Sequence, residues 1–165
     1  MTRRRQIHEP GHLRKLLVVV DDSPECDRAV YYAARRAART AGGLVLLRVL
    51  TLADVETQWF GVAELMRAEA TDKATARLDH LAARARSVAG VTAQTLIREG
   101  AVADEIHKLI EADEDIALLV VAVHAGREAP ASLISSLGSG LWAGLGIPIT
   151  LVPGTLSDAE IDALA

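Results

Sequence analysis

The sequence predicts one α/β domain with a mostly parallel sheet and helices on both faces. Short apolar segments alternate with helical patterns, and strand–helix–strand repetition produces parallel strands joined by right-handed crossovers. Residues 116–125 form an almost continuous apolar run, as expected of a strand that helices cover on both sides. Half of the 165 residues are hydrophobic but only 3% are aromatic, so the predicted core consists of Val, Leu, Ile and Ala.

Five segments have the composition of strands. They cover residues 16–21, 44–50, 91–98, 117–123 and 147–152. The first, second and fourth are nearly all apolar and are therefore predicted to be central. The third alternates polar and apolar residues, and the fifth contains Pro148 with Pro153 just after it. Because proline belongs on sheet edges or strand ends, the third and fifth strands are predicted to be the edges.

The first helix has boundary signals at both ends. Ser23 is expected to cap its N-terminus, Pro24 to occupy the first helical position, and Gly42–Gly43 to end it. The helix is expected to face the sheet with a stripe of small side chains: Cys26, Val30, Ala33, Ala34 and Ala37.

The later helices are predicted over residues 62–88, 102–112 and 131–144. Helical spacing predicts an inward face for each of the first two helices. In the helix at 62–88 it consists of Leu65, Leu78, Leu81, Ala82 and Ala85, and in the helix at 102–112 of Ile106, Leu109 and Ile110. The third holds Gly138, Gly140 and Gly144 and is expected to be weak, since each interior glycine costs about 0.5–1 kcal/mol. Ser157 and Glu160 are spaced as a capping box that opens a short last helix.

Charge is distributed unevenly along the chain. Residues 1–15 carry +4 of a total of −4, which leaves −8 for the remainder. An acidic body argues against nucleic acid as the main partner. Residues 1–13 are predicted to be a flexible basic tail, because they lack an apolar period. Residues 14–153 form the predicted domain, and residues 154–165 form a C-terminal tail with the short helix.

The single cysteine and the lack of long apolar runs predict a cytoplasmic protein without a membrane partner. Cys26 excludes an internal disulfide and is typical of a reducing compartment. A helix N-terminus can lower a thiol pKa, but a small buried side chain is the simpler interpretation. The run Arg3–Arg5 is not followed by the hydrophobic region that an export signal needs, and no segment reaches transmembrane length.

Several motifs, in this order, resemble the universal stress protein family over about residues 14–153. They include Asp21 with Ser23, the run Leu46-Leu47-Arg48-Val49, Glu99-Gly100 with Ile106, the apolar strand at 117–123 and the ending Gly146-Ile147-Pro148-Ile149. The resemblance implies a Rossmann-like doubly wound sheet with strand order 3-2-1-4-5. It also implies a homodimer that acts in stress adaptation.

The resemblance also places a candidate nucleotide site at the crevice between the first and fourth strands, where the winding direction of such a sheet reverses. It assigns Asp21 to the neighbourhood of adenine and ribose, and the Val49 backbone to adenine. In the family a Gly-x-x-Gly and a later Gly-Ser cradle the phosphates of ATP. The matching positions here are Ala122, Ala125, Ser135 and Ser136, and only Ser136 has the family residue.

Loss of three glycines weakens such a cradle, since Cβ atoms obstruct the backbone N–H groups that would bind phosphate. We therefore expect a stress-response protein that acts through protein interactions, does not bind ATP tightly and is not an enzyme. The alternative is an ATP-binding module or slow ATPase that uses the same six residues. Asp22, where the family has glycine, adds negative charge close to the ligand.

A remote alternative is a receiver domain of the response-regulator type. The first strand and its turn, Val19-Val20-Asp21-Asp22-Ser23-Pro24, resemble the start of a receiver, where paired carboxylates bind Mg²⁺. However, a receiver has a phosphoacceptor aspartate after its third strand and a lysine after its fifth. Here the third strand ends in Arg98-Glu99-Gly100 and the fifth in Val152-Pro153, so the nucleophile and the charge clamp of phosphoryl transfer are missing.

The remaining predictions concern His124, the last strand and one loop. His124 stands at the mouth of the crevice without a triad or metal-ligand spacing, so no catalytic or metal role is assigned to it. Family members pair the last strand across a two-fold axis, which predicts a homodimer through Ile149, Thr150, Leu151 and Val152. Trp59 and Phe60, in the loop at 51–61, are expected to pack over the sheet, with a lid or subunit contact as the alternative.

Overall fold

The computed structural model describes residues 5–55, 61–124 and 144–165. The predicted helix at 131–144, apart from Gly144, and the aromatic pair Trp59 and Phe60 lie outside these residues. The described elements are β1 (Lys15–Val20), α1 (Cys26–Arg39), β2 (Gly43–Leu50), α2 (Leu52–Val55), α3 (Val62–Ala89), β3 (Ala93–Glu99), α4 (Val102–Ala112), β4 (Ile116–Val123), β5 (Ile149–Pro153) and α5 (Asp158–Leu164).

The five strands form one parallel sheet in the order β3-β2-β1-β4-β5. This confirms the predicted order, the central position of β1 and the two predicted edges. β1 pairs on one side with β2, where Leu17 lies opposite Val45, and on the other with β4, where Leu17 lies opposite Leu119. The apolar strands occupy the middle because each must bury both of its faces.

Two apolar cores cover the two faces of the sheet. Successive residues of a strand point to opposite faces, so Leu16 and Val18 pack with α1 and α3, while Leu17 and Val19 pack with α4. The predicted stripe of α1 is buried in the first core, and the predicted inward residues of α4 are buried in the second.

Both predicted boundaries of α1 need correction. Ser23 does not cap the helix, because its N–H and hydroxyl both donate to Asp21, and the helix begins only at Cys26. At the other end Ala41, with φ of 52°, takes the left-handed conformation expected of glycine. Gly42 is required for another reason, since a Cβ there would lie 2.6 Å from the Arg14 carbonyl oxygen.

The long helix α3 was assigned one inward residue too many. Leu78, Leu81 and Ala85 are buried as predicted, but Leu65 is 59% exposed. A helix of 28 residues is about 42 Å long, more than the sheet can cover, so its first turns extend beside α2 instead. At the sheet edge, β5 begins at Ile149 and includes Pro153, which places Pro148 before the strand rather than within it.

Both ends of the described chain contact the body. The Arg5 guanidinium donates hydrogen bonds to four backbone carbonyl oxygens at the end of α4 and the start of β4: those of Ile110, Asp113, Glu114 and Ile116. His12 pairs with Asp115 at 2.7 Å. Arg5 and His12 thus contact the body although they belong to residues 1–13, for which a flexible tail was predicted; that tail and the domain boundaries stay predictions. The predicted capping box is present, with Ser157 and Glu160 bonded reciprocally at the start of α5.

Candidate functional site

The carboxyl ends of β1, β2 and β4 bring together the polar residues from which a ligand site could be built. In a doubly wound sheet, ligands bind beyond these ends, where neighbouring crossovers run to opposite faces. In this sheet that position is the crevice between β1 and β4. Asp21 and Asp22 follow β1 on one side, and His124 follows β4 on the other.

Asp21 is engaged in a local turn. Its Oδ1 accepts hydrogen bonds from the Ser23 N–H at 2.9 Å and the Ser23 hydroxyl at 2.6 Å. Arg77 of α3 holds the same turn from above, because its Nη2 donates to the Ser23 carbonyl oxygen at 2.9 Å. The carboxylate predicted to lie near a ribose therefore stabilises the β1–α1 turn.

Asp22 belongs to a second charged group, on the β2 side of the crevice. Its Oδ2 pairs with Arg48 at 3.0 Å and with Lys73 at 3.5 Å. These three residues line a cavity of about 230 Å³ between β2, α2 and α3. Its other lining residues are Leu50, Asp54, Met66, Glu69, Ala70 and Ala74. The cavity thus combines charge of both signs with apolar side chains.

A side-chain contact links the two sides of the crevice. The Oε1 of Glu25, in the β1–α1 turn, lies 2.9 Å from Nδ1 of His124 at the end of β4. The other oxygen of Glu25, Oε2, is buried and has no hydrogen-bond partner among the described residues. We call this pair the Glu25–His124 clasp.

Gly154 makes room for the clasp. It follows β5, its N–H donates to the Val123 carbonyl oxygen at 2.9 Å, and it lies directly beneath Glu25. A Cβ at this position would lie 2.9 Å from the Glu25 Cβ and closer still to its Cγ. A glycine here therefore lets the Glu25 side chain lie flat towards β4.

The other predicted site residues are distributed as follows. The Val49 side chain is buried in the core on the α4 side, which leaves its backbone for the contact that the resemblance implies. Ala122 lies on β4 opposite Val152 and packs against the core on the α1 side. Ala125, Ser135 and Ser136 lie outside the described residues, so the candidate phosphate cradle stays a prediction.

Cys26 is a buried structural residue at the base of the crevice. Burial raises the pKa of its thiol to about 11, although the backbone at Asp21 acts in the opposite direction. The preferred interpretation of Cys26, a small buried side chain, is therefore confirmed, and the alternative of a reactive thiol at a helix N-terminus is wrong. The helix begins at this residue, but desolvation of the thiolate outweighs any help from the helix dipole.

The strand order separates the residues that a receiver domain would need. Receiver sheets have the order 2-1-3-4-5, which sets their third strand beside the first. Here β3 is the outer strand, so Glu99 is separated from Asp21 and Asp22 by β2. Within residues 5–55, 61–124 and 144–165, no group of three acidic, histidine or cysteine side chains could hold a metal ion.

Sequence reasoning missed the clasp, because Glu25 and His124 are far apart in the chain. An acidic residue in the first turn of a helix is ordinarily explained by the helix dipole. A signal that could have drawn attention to it is Gly154, a glycine directly after the last strand. Lys73 and Arg77 were missed too, since basic residues on the outer turns of a long helix have no pattern of their own.

Comparisons with known proteins agree with this fold. The sequence matches the universal stress protein family over residues 12–153. Universal stress protein UspA from Lactobacillus plantarum has 20% identity and a TM-score of 0.64, covering 84% of this chain and 97% of its own. Curated protein sequences give no match.

Two further structures contain adenine nucleotides. A universal stress protein in complex with cAMP has 20% identity and a TM-score of 0.63, and covers 84% of this chain and 96% of its own. A family protein from Arabidopsis thaliana with AMP bound has 18% identity and a TM-score of 0.56, with 85% and 91% covered. At these identities the likeness establishes the fold. No helix in the described part of the chain is long and apolar enough to cross a membrane.

Proposed function

The chain belongs to the universal stress protein family, and from that premise we propose that it acts in the stress response through protein interactions and does not bind ATP tightly. The observation that carries the second part is the Glu25–His124 clasp across the crevice. The proposal assigns no catalytic residue and expects no rapid turnover. It places the protein in the cytoplasm, on the strength of the single cysteine.

Electrostatics supports weak binding of polyphosphates. Asp21, Asp22 and Glu25 bring three carboxylates to the carboxyl end of β1. A carboxylate and a phosphate about 5 Å apart repel each other by roughly 3 kcal/mol at an effective dielectric constant near 20. Three of the nearby basic groups already have acidic partners, since Arg48 and Lys73 pair with Asp22, and His124 with Glu25. The fourth, Arg77, donates to backbone carbonyl oxygens of the β1–α1 turn.

Adenine-nucleotide binding, with slow ATP hydrolysis as its extreme form, is the second candidate function. It is favoured by the nucleotide complexes of two proteins with this fold, which contain cAMP and AMP, and by the cavity beside β2. In this version Asp21 and Val49 would hold adenosine. Ala122, Ala125, Ser135 and Ser136 would surround the phosphates.

Calorimetric titration of the purified chain with ATP, AMP and cAMP, each with and without Mg²⁺, separates the two functions. We expect negligible ATP affinity in the wild type and tighter binding in Glu25→Gln, which removes one charge and opens the clasp. Glu111→Gln is the matched control, since it alters another Glu–His pair, on the outer face of α4 and distant from the crevice.

The outcomes are unambiguous. Low-micromolar binding of ATP by the wild type would overturn the proposal in favour of the nucleotide-binding function. Equal affinity in Glu25→Gln and the wild type would remove the clasp as the cause of weak binding. Nucleotide released from the freshly purified protein by denaturation, and identified by mass spectrometry, gives an independent answer.

The proposed assembly is a homodimer through β5. The strand lies at the edge of the sheet, so one row of its backbone N–H and C=O groups has no strand partner among the described residues. Leu151 points outward and is 51% exposed, while Ile149 and Thr150 are partly exposed. Val152 is buried in the core and would contribute through its backbone.

Light scattering tests this assembly. We expect a dimer in the wild type and monomers in Leu151→Lys, because two lysines would face each other at the two-fold axis. Leu164→Lys is the control, since Leu164 is also an exposed leucine but belongs to α5. A wild type that is monomeric at micromolar concentration would contradict the proposed dimer. No nucleic-acid or membrane partner is proposed.

A further inference from the structure

The C-terminal helix α5 is an addition to the family domain. The family match ends at residue 153, and α5 begins at Asp158. The helix has seven residues, and isolated helices shorter than about 12 residues are marginal in water. Its capping box fixes the first turn, but the rest of the helix depends on the surface on which it lies.

That surface is a cluster of arginines around one tyrosine. Arg28, Arg35 and Arg39 of α1 and Arg84 of α3 contribute the guanidinium groups, and Tyr31 of α1 lies at the centre. We call these five residues the arginine groove. The guanidinium carbons of Arg28, Arg35 and Arg84 lie 5.1–5.4 Å from the centroid of the Tyr31 ring, within cation–π range.

Two acidic residues of α5, Asp158 and Asp162, contact the groove. Asp158 pairs with Arg28 at 2.6 Å and with Arg84 at 3.6 Å. One turn later, Asp162 pairs with Arg35 at 2.8 Å and accepts a hydrogen bond from the Tyr31 hydroxyl at 3.1 Å.

Two backbone contacts complete the docking. Arg28 also donates to the Leu156 carbonyl oxygen at 3.2 Å, and Arg39 donates to that of Ala165.

Between the two aspartates, Ile161 is fully buried, whereas Leu164 on the same helix is 62% exposed. The docked helix thus presents an acidic residue, then an apolar residue three positions on, then a second acidic residue.

Without α5 the groove would carry a large excess of positive charge. Among the described residues of the body, Asp27 is the one carboxylate that pairs with the groove, and it contacts Arg28 and Arg84. The segment 158–162 contributes three carboxylates, from Asp158, Glu160 and Asp162. The charge of the groove is therefore balanced by a segment outside the family domain, and a surface so built selects acidic helices.

We propose that the arginine groove is a binding site for an acidic amphipathic helix of a partner protein, and that α5 occupies it in cis. The helix it fits has the pattern Asp-x-x-Ile-Asp or a close equivalent. A tethered segment has an effective concentration in the millimolar range, so a partner binds only where it outcompetes α5. The site would supply one of the protein interactions proposed above, yet it lies apart from the crevice and from β5.

The test uses the full chain with the cis helix released and the groove intact. In Asp158→Lys/Asp162→Lys both ion pairs of α5 are reversed while every groove residue remains. The probe is a fluorescent, N-acetylated peptide of residues 154–165, followed by anisotropy. We expect the double variant to bind the peptide at least tenfold more tightly than the wild type. The same peptide with both aspartates changed to lysine should bind neither protein.

Hydrogen exchange of the α5 amides reports release independently, and Ile161→Ala provides a second way to release the helix if the double variant folds poorly. Slow exchange at α5 in the double variant would overturn the proposal, since charge would then not hold the helix. Equal binding of the acidic and the lysine peptide by a released groove would overturn it too.

A second copy of the chain is the competing occupant. Wild-type dimers that disappear in the double variant but persist in Leu151→Lys would assign the groove to self-association and overturn the partner-helix proposal. Failure of the peptide experiment leaves the nucleotide and β5 measurements unaffected, because neither depends on α5.

Discussion

The crevice between β1 and β4 and the arginine groove on α1 balance their charges in opposite ways. In the crevice, an acidic residue of the β1–α1 turn pairs with His124 of β4, so the partners come from the family domain itself. In the groove, the arginines of α1 and α3 are balanced largely by α5, beyond residue 153. The pair in the crevice is thus formed within the region that matches the family. The surface that depends on an added segment lies elsewhere.

One short segment connects the two regions. Gly154 supports the clasp from below, and four residues later Asp158 opens α5 against the groove. We therefore expect the charge at the crevice to be fixed and the charge at the groove to be exchangeable. The following substitutions and pH changes separate these two properties.

The largest effect is expected at Ile161. Ile161→Ala removes a fully buried side chain from the contact between α5 and the body, and should lower the free energy of unfolding by about 2–4 kcal/mol. Urea denaturation measures the change. Leu164→Ala, on the same helix but exposed, should stay within about 0.5 kcal/mol. Equal effects of the two substitutions would mean that ion pairs alone hold α5.

The crevice should protect Cys26 from reagents. With a thiol pKa of about 11 against an ordinary value of 9.0, the thiolate fraction at pH 8 is roughly a hundredfold smaller than that of an exposed cysteine. A disulfide reagent should therefore react at least that much more slowly with the native than with the urea-unfolded chain. Rapid native reaction would show that the base of the crevice opens.

The same thiol makes stability depend on alkaline pH. Because its folded pKa is raised, its contribution is fully present below about pH 9 and is lost as pH rises towards 11. The variant Cys26→Ala should lack this part of the alkaline destabilisation.

Gly154→Ala should disturb the clasp more mildly. The new Cβ would overlap Glu25 and lie 3.2 Å from the Val123 carbonyl oxygen, which predicts a loss of about 1–3 kcal/mol in urea denaturation. Gly144→Ala is the control, since a Cβ there would lie 3.7 Å from His107 Nε2, an ordinary contact and the nearest one that the described residues provide. If hydrogen exchange in α5 also rises in Gly154→Ala, the crevice and the groove are coupled through this segment.

The smallest effect is expected for an ion pair that lies in neither region. Its hydrogen bond to Asp115 raises the pKa of His12, and the same bond lowers the pKa of Asp115. Because the folded pKa of His12 is raised, its contribution to stability is fully present below about pH 6.5. That contribution is lost as pH rises through the folded pKa. A lowered carboxyl pKa stabilises above about pH 3.8 and ceases to do so as pH falls.

The contributions of His12 and Asp115 to stability are both present only between about pH 3.8 and pH 6.5. The urea midpoints of His12→Asn and the wild type should therefore differ most near pH 5 and converge as pH rises through the folded pKa of His12. A difference that is independent of pH would remove the ion pair as its cause.

The sheet could be predicted from sequence because its strands differ in composition. The apolar β1 and β4 have to be central, and β3 with its polar side chains has to be an edge. Local sequence motifs predicted the start of a helix correctly where one interaction dominates, as at the Ser157–Glu160 capping box. They were wrong where two interactions compete, because the Ser23 hydroxyl bonds to Asp21 instead of capping α1.

Contacts between distant parts of the chain could not be predicted from sequence patterns. The clasp, the docking of Arg5 on backbone carbonyl groups and the pairing of α5 with α1 leave no periodic trace in the sequence. Leu65 shows the converse case. Its helical spacing is correct, but its exposure depends on how far the sheet extends beneath α3. The phosphate-cradle residues Ala125, Ser135 and Ser136 stay predictions.

The strand order has a consequence for synthesis of the chain. β1 is made early but needs two partners, and Lys15 lies opposite Gly43 in one and Ile116 in the other. At about 5–20 residues per second, roughly 5–20 seconds separate the emergence of β1 from that of β4. During this interval one edge of the apolar strand β1 has no partner. A nascent chain in that state is a substrate for chaperones, and a ribosomal pause before residue 116 would lengthen its exposure.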